Sequence, residues 1–71
     1  MQPVKLTTIL LNGAPAQIEV STLAELVAAH GFAESEVATA LNGDFVPRRA
    51  RAATLLAEGD KVEIVAPRQG G

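Results

Sequence analysis

The sequence contains no cysteine and a single histidine, His30. Without thiols there is no disulfide framework, no thiolate zinc or iron–sulfur site and no cysteine nucleophile. One imidazole leaves little for a histidine metal cluster or a Ser/His relay. An excess of positive charge is missing too. Six Lys and Arg stand against eight Asp and Glu, for a formal charge of −2, which argues against a protein that tracks a phosphate backbone. No apolar run approaches the ~20 residues that span a bilayer. Near the N-terminus Lys5-Leu6 is followed by Thr7-Thr8 and then Asn12-Gly13, not by the apolar stretch of a secretory signal. The expected location is therefore cytoplasmic, with neither membrane nor nucleic acid as a partner.

The chain does have enough apolar residues, 48% of 71, for one small globular domain. Such a domain buries only about 60% of the surface of its unfolded chain, and its core supplies roughly 3–5 kcal/mol of net stability. It has no room for an enclosed substrate pocket of the usual ~300 Å³ or more. Chemistry would have to occur at the surface, or in the active site of a partner. Charge is uneven along the chain. Residues 1–47 carry Lys5 against Glu19, Glu25, Glu34, Glu36 and Asp44, whereas residues 48–71 carry five bases against Glu58, Asp60 and Glu63.

Lys5 to Leu11 reads as a strand, rich in leucine, isoleucine and threonine. Asn12-Gly13 then suits a tight hairpin, because both residue types tolerate φ > 0. Ala16, Ile18 and Val20 alternate with Gln17 and Glu19 as in a strand with one wet face. Pro15 fits only near a turn or on an edge strand. Thr22-Leu23-Ala24-Glu25 has the form of a capping box, and Leu23, Leu26 and Val27 continue it as one apolar helical stripe. Gly31 should end this helix of about eight residues, which is too short to persist alone and needs a sheet to lie on. Val37 to Leu41, Asn42-Gly43 and Phe45-Val46 read as a second hairpin stopped by Pro47, and Arg48 to Thr54 as a helical turn. Glu58-Gly59-Asp60 is a turn, and Lys61 to Ala66 alternates again as a last strand. The order predicts an α+β fold: a β-grasp, ubiquitin-like mixed sheet of four to five strands crossed by one helix. The last strand should lie centrally, beside the first. The domain is expected over residues 1–66, with residues 67–71 a flexible tail.

The tail ends in Gly70-Gly71. A random chain ends this way about once in 200, so the pair alone is a weak signal. It gains force after a final strand in a chain with no other candidate nucleophile. Two glycines make a slim, permissive end that can thread a narrow channel and present its carboxylate to another protein. A carboxylate resists substitution because its leaving group would be oxide; adenylation supplies a good leaving group, which a sulfur nucleophile can then displace.

Asn42-Gly43-Asp44-Phe45-Val46-Pro47-Arg48, then Leu56-Ala57-Glu58-Gly59-Asp60-Lys61-Val62-Glu63-Ile64-Val65, then Gly70-Gly71, resemble the ThiS sulfur carriers of thiamine biosynthesis. Thr22-Leu23-Ala24-Glu25-Leu26 fits the same pattern, so the resemblance covers nearly the whole chain. The Glu-Gly-Asp-x-Val stretch is shared with the small subunit of molybdopterin synthase, which is usually longer and more aromatic near its end than this chain, whose aromatics are Phe32 and Phe45. About five residues ahead of the first strand exceed the family pattern without touching the motif. The resemblance implies that a ThiF-like enzyme adenylates the Gly71 carboxylate with ATP and Mg²⁺. Sulfur passed from cysteine through a cysteine desulfurase persulfide then makes a thiocarboxylate, and a thiazole synthase takes the sulfur. The protein would be a cosubstrate that binds no cofactor of its own.

Around Gly71, the residues Gly70, Gln69 and Arg68 form the expected tail, with Arg68 either steering it or simply solubilising it. Arg48, Arg49 and Arg51 are either a docking patch for an acidic partner surface or a solvated face; Arg48 is the candidate. The first strand is apolar on both faces. Ile9 and Leu11 should face the helix, leaving Leu6 and Leu10 as a partner-binding patch, unless segments near residues 32–36 or 48–56 cover them. His30 belongs to the helix's last turn, Glu25 to the cap, and Glu58 with Asp60 to a turn, not to a metal site. Two other functions compete: a carrier for molybdopterin or another thiolation pathway, and a non-catalytic ubiquitin-like interaction module.

Overall fold

Two Asn-Gly pairs set where the chain reverses. Asn12 and Gly13 have φ of 51° and 86°, and Asn42 and Gly43 have φ of 52° and 88°. Positive φ at both central residues is the two-residue turn whose twist matches that of the strands it joins. The computed structural model describes residues 5–66. In it the first turn joins β1 (Thr7–Leu11) to β2 (Ala14–Ile18), and the second joins β3 (Ala38–Leu41) to β4 (Asp44–Val46). Between the hairpins lies the helix α1 (Leu23–Ala29), and the last strand is β5 (Lys61–Val65). The five strands form one sheet in the order β2-β1-β5-β3-β4. β5 is central, parallel to β1 and antiparallel to β3, as the β-grasp expectation requires. The expected tail, residues 67–71, lies outside the described residues.

Period-two alternation assigns the two faces. Thr7 and Ile9 of β1, Ile18 of β2, Thr39 of β3, Val46 of β4 and Val62 and Ile64 of β5 are buried on the face that α1 covers. Leu23, Leu26 and Val27 close the core from the helix side, all at 1% exposure or less. Pro15 does no harm because β2 is an edge strand. Leu11 and Ala14 close the turn, which puts Pro15 at the alternate position, where an N–H would point away from β1.

A helix of seven residues survives because both ends are satisfied. The Thr22 hydroxyl accepts from the Glu25 N–H at 3.2 Å, while the Glu25 carboxylate accepts from the N–H groups of Ser21 (2.8 Å) and Thr22 (3.0 Å). These bonds to Ser21 first, and then to Thr22, hold the Glu25 carboxyl below its ordinary pKa. At the other end Gly31 donates to the Ala28 carbonyl and Phe32 to that of Val27, the paired bonds of a Schellman cap, with Gly31 at φ 81°. His30 is the C-cap itself, one step beyond the expected last turn, and its Nδ1 lies 3.2 Å from the Leu26 carbonyl oxygen.

Two 3-10 segments, Glu34–Glu36 and Arg48–Ala53, pack against α1 and so lie on the helix side. They do not cover the opposite face of the sheet. The second corrects the reading of the arginine cluster. Arg51 is 2% exposed and cannot belong to a docking patch. Its Nε donates to the Thr39 hydroxyl at 3.0 Å, and its two terminal nitrogens donate to the carbonyls of Glu34 (2.8 Å) and Val37 (2.6 Å). Thr39 passes the chain of bonds on to the Val46 carbonyl at 2.8 Å. One guanidinium thus ties both 3-10 segments to β3.

Candidate functional site

The last strand carries the chain toward its Gly-Gly end, so what grips β5 defines the site. The loop before it is anchored first. Glu58 accepts from the Thr8 N–H (2.9 Å) and Gly59 donates to the Thr8 carbonyl (2.8 Å). Asp60 accepts from the Ala57 N–H (2.7 Å) and from the Asn42 amide (3.1 Å). Both carboxylates of the expected turn are therefore spent on structure. Among the described residues no group of three or more His, Asp or Glu side chains gathers as metal ligands.

Both turn asparagines then reach the strand. Asn42 takes the Lys61 N–H on its side-chain oxygen at 2.9 Å and donates its own N–H to the Lys61 carbonyl at 2.7 Å. Asn12 takes the Ile64 N–H on Oδ1 (2.9 Å) and donates from Nδ2 to the Ile64 carbonyl (3.1 Å). Asn-Gly was legible as a turn, but the reach of these side chains to β5, 52 residues on from Asn12 and 19 from Asn42, was not. The only hint was asparagine, and not aspartate or glycine, at the first turn position of both hairpins.

The sheet face away from α1 is open. Leu10 is half-buried there, Leu6 is 52% exposed just before β1, and Lys61 and Glu63 occupy the middle. Two residues not among the expected site residues also lie on this face. Phe45 (69% exposed) pairs with Ala40 across the β3–β4 hairpin, and Val65 (61%) pairs with Ala38. Both follow from alternation against the buried Val46 and Ile64. Open depressions flank β5 here, one lined by Asn42, Gly43, Lys61 and Glu63 and another by Leu10, Gly13, Lys61 and Glu63.

The expected site residues do not gather into one patch. Leu10 sits on β1, and two strands separate it from the β4 edge that leads to Arg48, roughly 14 Å of sheet at the usual spacing. Arg48 begins the 3-10 segment packed on the helix side and pairs with Glu34 at 3.5 Å, both side chains exposed. Arg68, Gln69, Gly70 and Gly71 lie outside the described residues. No helix among the described residues is long and apolar enough to cross a membrane.

Comparison with known proteins agrees with this arrangement. The crystal structure of a thiamine biosynthesis protein (ThiS) from Geobacter metallireducens superposes with a TM-score of 0.76 at 30% identity, covering 92% of this chain and 100% of that one. An NMR solution structure of a thiamine biosynthesis protein from the same organism gives a TM-score of 0.76 at 32% identity, covering 92% of this chain and 88% of that one. No curated protein sequence matches. The model of the ThiS family matches residues 9–71, from Ile9 in β1 through both glycines, and the chain belongs to that family.

Proposed function

We propose that the protein is a sulfur carrier for thiamine biosynthesis and that the Gly71 carboxylate is the group it offers. The observation that carries this reading is a family match that continues through residue 71, beyond a β5 locked at the centre of the sheet. A rigid core feeding a slim Gly-Gly end suits delivery into another protein's active site, and the open depressions suit no reaction of their own.

The chemistry belongs to the partners. A carboxylate oxygen of Gly71 attacks the α-phosphorus of ATP on a ThiF-like enzyme, pyrophosphate leaves with Mg²⁺, and an acyl-adenylate forms. The terminal sulfur of a persulfide, supplied by a cysteine desulfurase, then attacks the acyl carbon. AMP leaves with the C–O bond electrons, giving an acyl disulfide; a second thiol on the delivering protein attacks its cysteine sulfur, so that a cysteine disulfide forms there as the thiocarboxylate sulfur leaves with the S–S bond electrons. The product is a thiocarboxylate at Gly71, whose sulfur a thiazole synthase consumes. This chain supplies the carboxyl group, its reach and the docking surface, with Leu6, Leu10 and Arg48 as candidate contacts and Arg68, Gln69 and Gly70 as the lead-in.

Intact mass spectrometry tests the proposal. After incubation with the adenylating enzyme, ATP and a persulfide donor, the chain should gain the mass difference between one sulfur and one oxygen. An unchanged mass, with the enzyme active on its own carrier, contradicts it.

A further inference from the structure

The side chain of Asn12 completes a strand ladder that the backbone cannot. Along the parallel pair, Leu10 N–H donates to the Asp60 carbonyl and Asn12 N–H to the Val62 carbonyl, both at 2.9 Å. Parallel ladders advance by two residues. The next step would hold the N–H and C=O of Ile64 with the backbone of Asn12 and of a residue two further along. The chain turns away at Asn12-Gly13 instead. The Asn12 carboxamide takes over both bonds, one accepted and one donated. An amide side chain is the right shape for this, since it presents one acceptor and one donor side by side like a peptide group. On the other side β5 is held as far as Val65, opposite Ala38. Ile64 thus has both backbone groups held by Asn12, while its neighbours Glu63 and Val65 pair with β3, one residue before β5 ends.

We propose that Asn12 is a positioning residue for the reactive end. Resting on the carrier reading above, this assigns to the first hairpin turn the task of fixing the position and direction in which β5 ends. With the clamp, the end of β5 is held on both edges, by Asn12 at Ile64 and by β3 at Glu63 and Val65. Without it, Glu63 to Val65 are held on the β3 side alone, and the freedom this end of the strand gains is freedom that binding must remove.

Asn12→Gly separates this role from the turn, because glycine accepts the same positive φ and removes only the carboxamide. Two measurements on the full chain decide. In amide hydrogen exchange, Ile64 should exchange about tenfold faster or more relative to the core strand amide of Ile9. In adenylation by the matched enzyme, KM for the carrier should rise about two- to threefold while kcat changes less. Asn12→Asp keeps the acceptor and loses the donor, and should fall between parent and glycine variant. A merely structural role would speed Ile64 and Ile9 together and leave KM unmoved far below the melting temperature. Either of those results overturns the proposal. A parent chain that is never adenylated also overturns it, and marks the carrier reading as the point of failure, while the exchange data then report the clamp as local structure alone.

Discussion

Arg51 shows how much one residue can carry in a small domain. Its three donated bonds satisfy the Thr39 hydroxyl and the carbonyls of Glu34 and Val37. Truncation to alanine leaves these groups short of partners and empties a buried volume. Hydrogen bonds to a charged group are worth about 1.5–3 kcal/mol, so Arg51→Ala should cost about 2–4 kcal/mol, most of the margin of a domain this size. A urea titration measures it; a midpoint within error of the parent would show the network to be dispensable. Arg48→Glu should behave differently. Its pair with Glu34 is exposed, and such pairs are worth about 0–1 kcal/mol, so the urea midpoint should move little. Weaker binding to the adenylating enzyme in a titration would mark Arg48 as a docking residue, and equal binding would return it to the solvated surface. Glu25 makes a pH prediction. Its folded pKa is lowered by the Ser21 and Thr22 amides, so its contribution is complete above the ordinary glutamate range, about 4.3, and is lost as pH falls through the lowered value. The melting temperature of Glu25→Gln should lie below the parent's at neutral pH, with the gap closing in acid. A gap constant with pH would show that the carboxylate charge is not what caps the helix.

At the scale of elements, α1 is too short to be stable by itself and owes its existence to Leu23, Leu26 and Val27. Leu26→Ala should cost about 2–5 kcal/mol, read as a lowered melting temperature; an unchanged melt would mean that the helix face is misassigned. The elements were legible because local chemistry and pattern agreed. Asn-Gly specified both hairpins, Thr22 and Glu25 specified the helix start, and alternation gave β5 its buried Val62 and Ile64. The outward placement of Leu6 and Leu10 was legible for the same reason. The arginine cluster was not. Arg48, Arg49 and Arg51 are alike in type and near neighbours in sequence. Arg51 turns inward because the 3-10 segment brings it under Thr39 and the Glu34 and Val37 carbonyls, a long-range coincidence that no local spacing encodes. The Asn12 clamp on Ile64 was hidden for the same reason.

For the whole molecule, the topology itself suits a carrier. The chain's last strand is threaded between β1 and β3, so pulling on the tail loads the centre of the sheet and not an edge. The central claim is that Gly71 carries the reacting carboxylate, and ATP–pyrophosphate exchange with the matched adenylating enzyme tests it directly. Deleting Gly71 shortens the reach by about 3.5 Å. Attack needs the reacting atoms roughly 3–3.5 Å apart, so exchange should be nearly abolished while the melt stays that of the parent. A deletion variant that exchanges as fast as the parent would contradict the account.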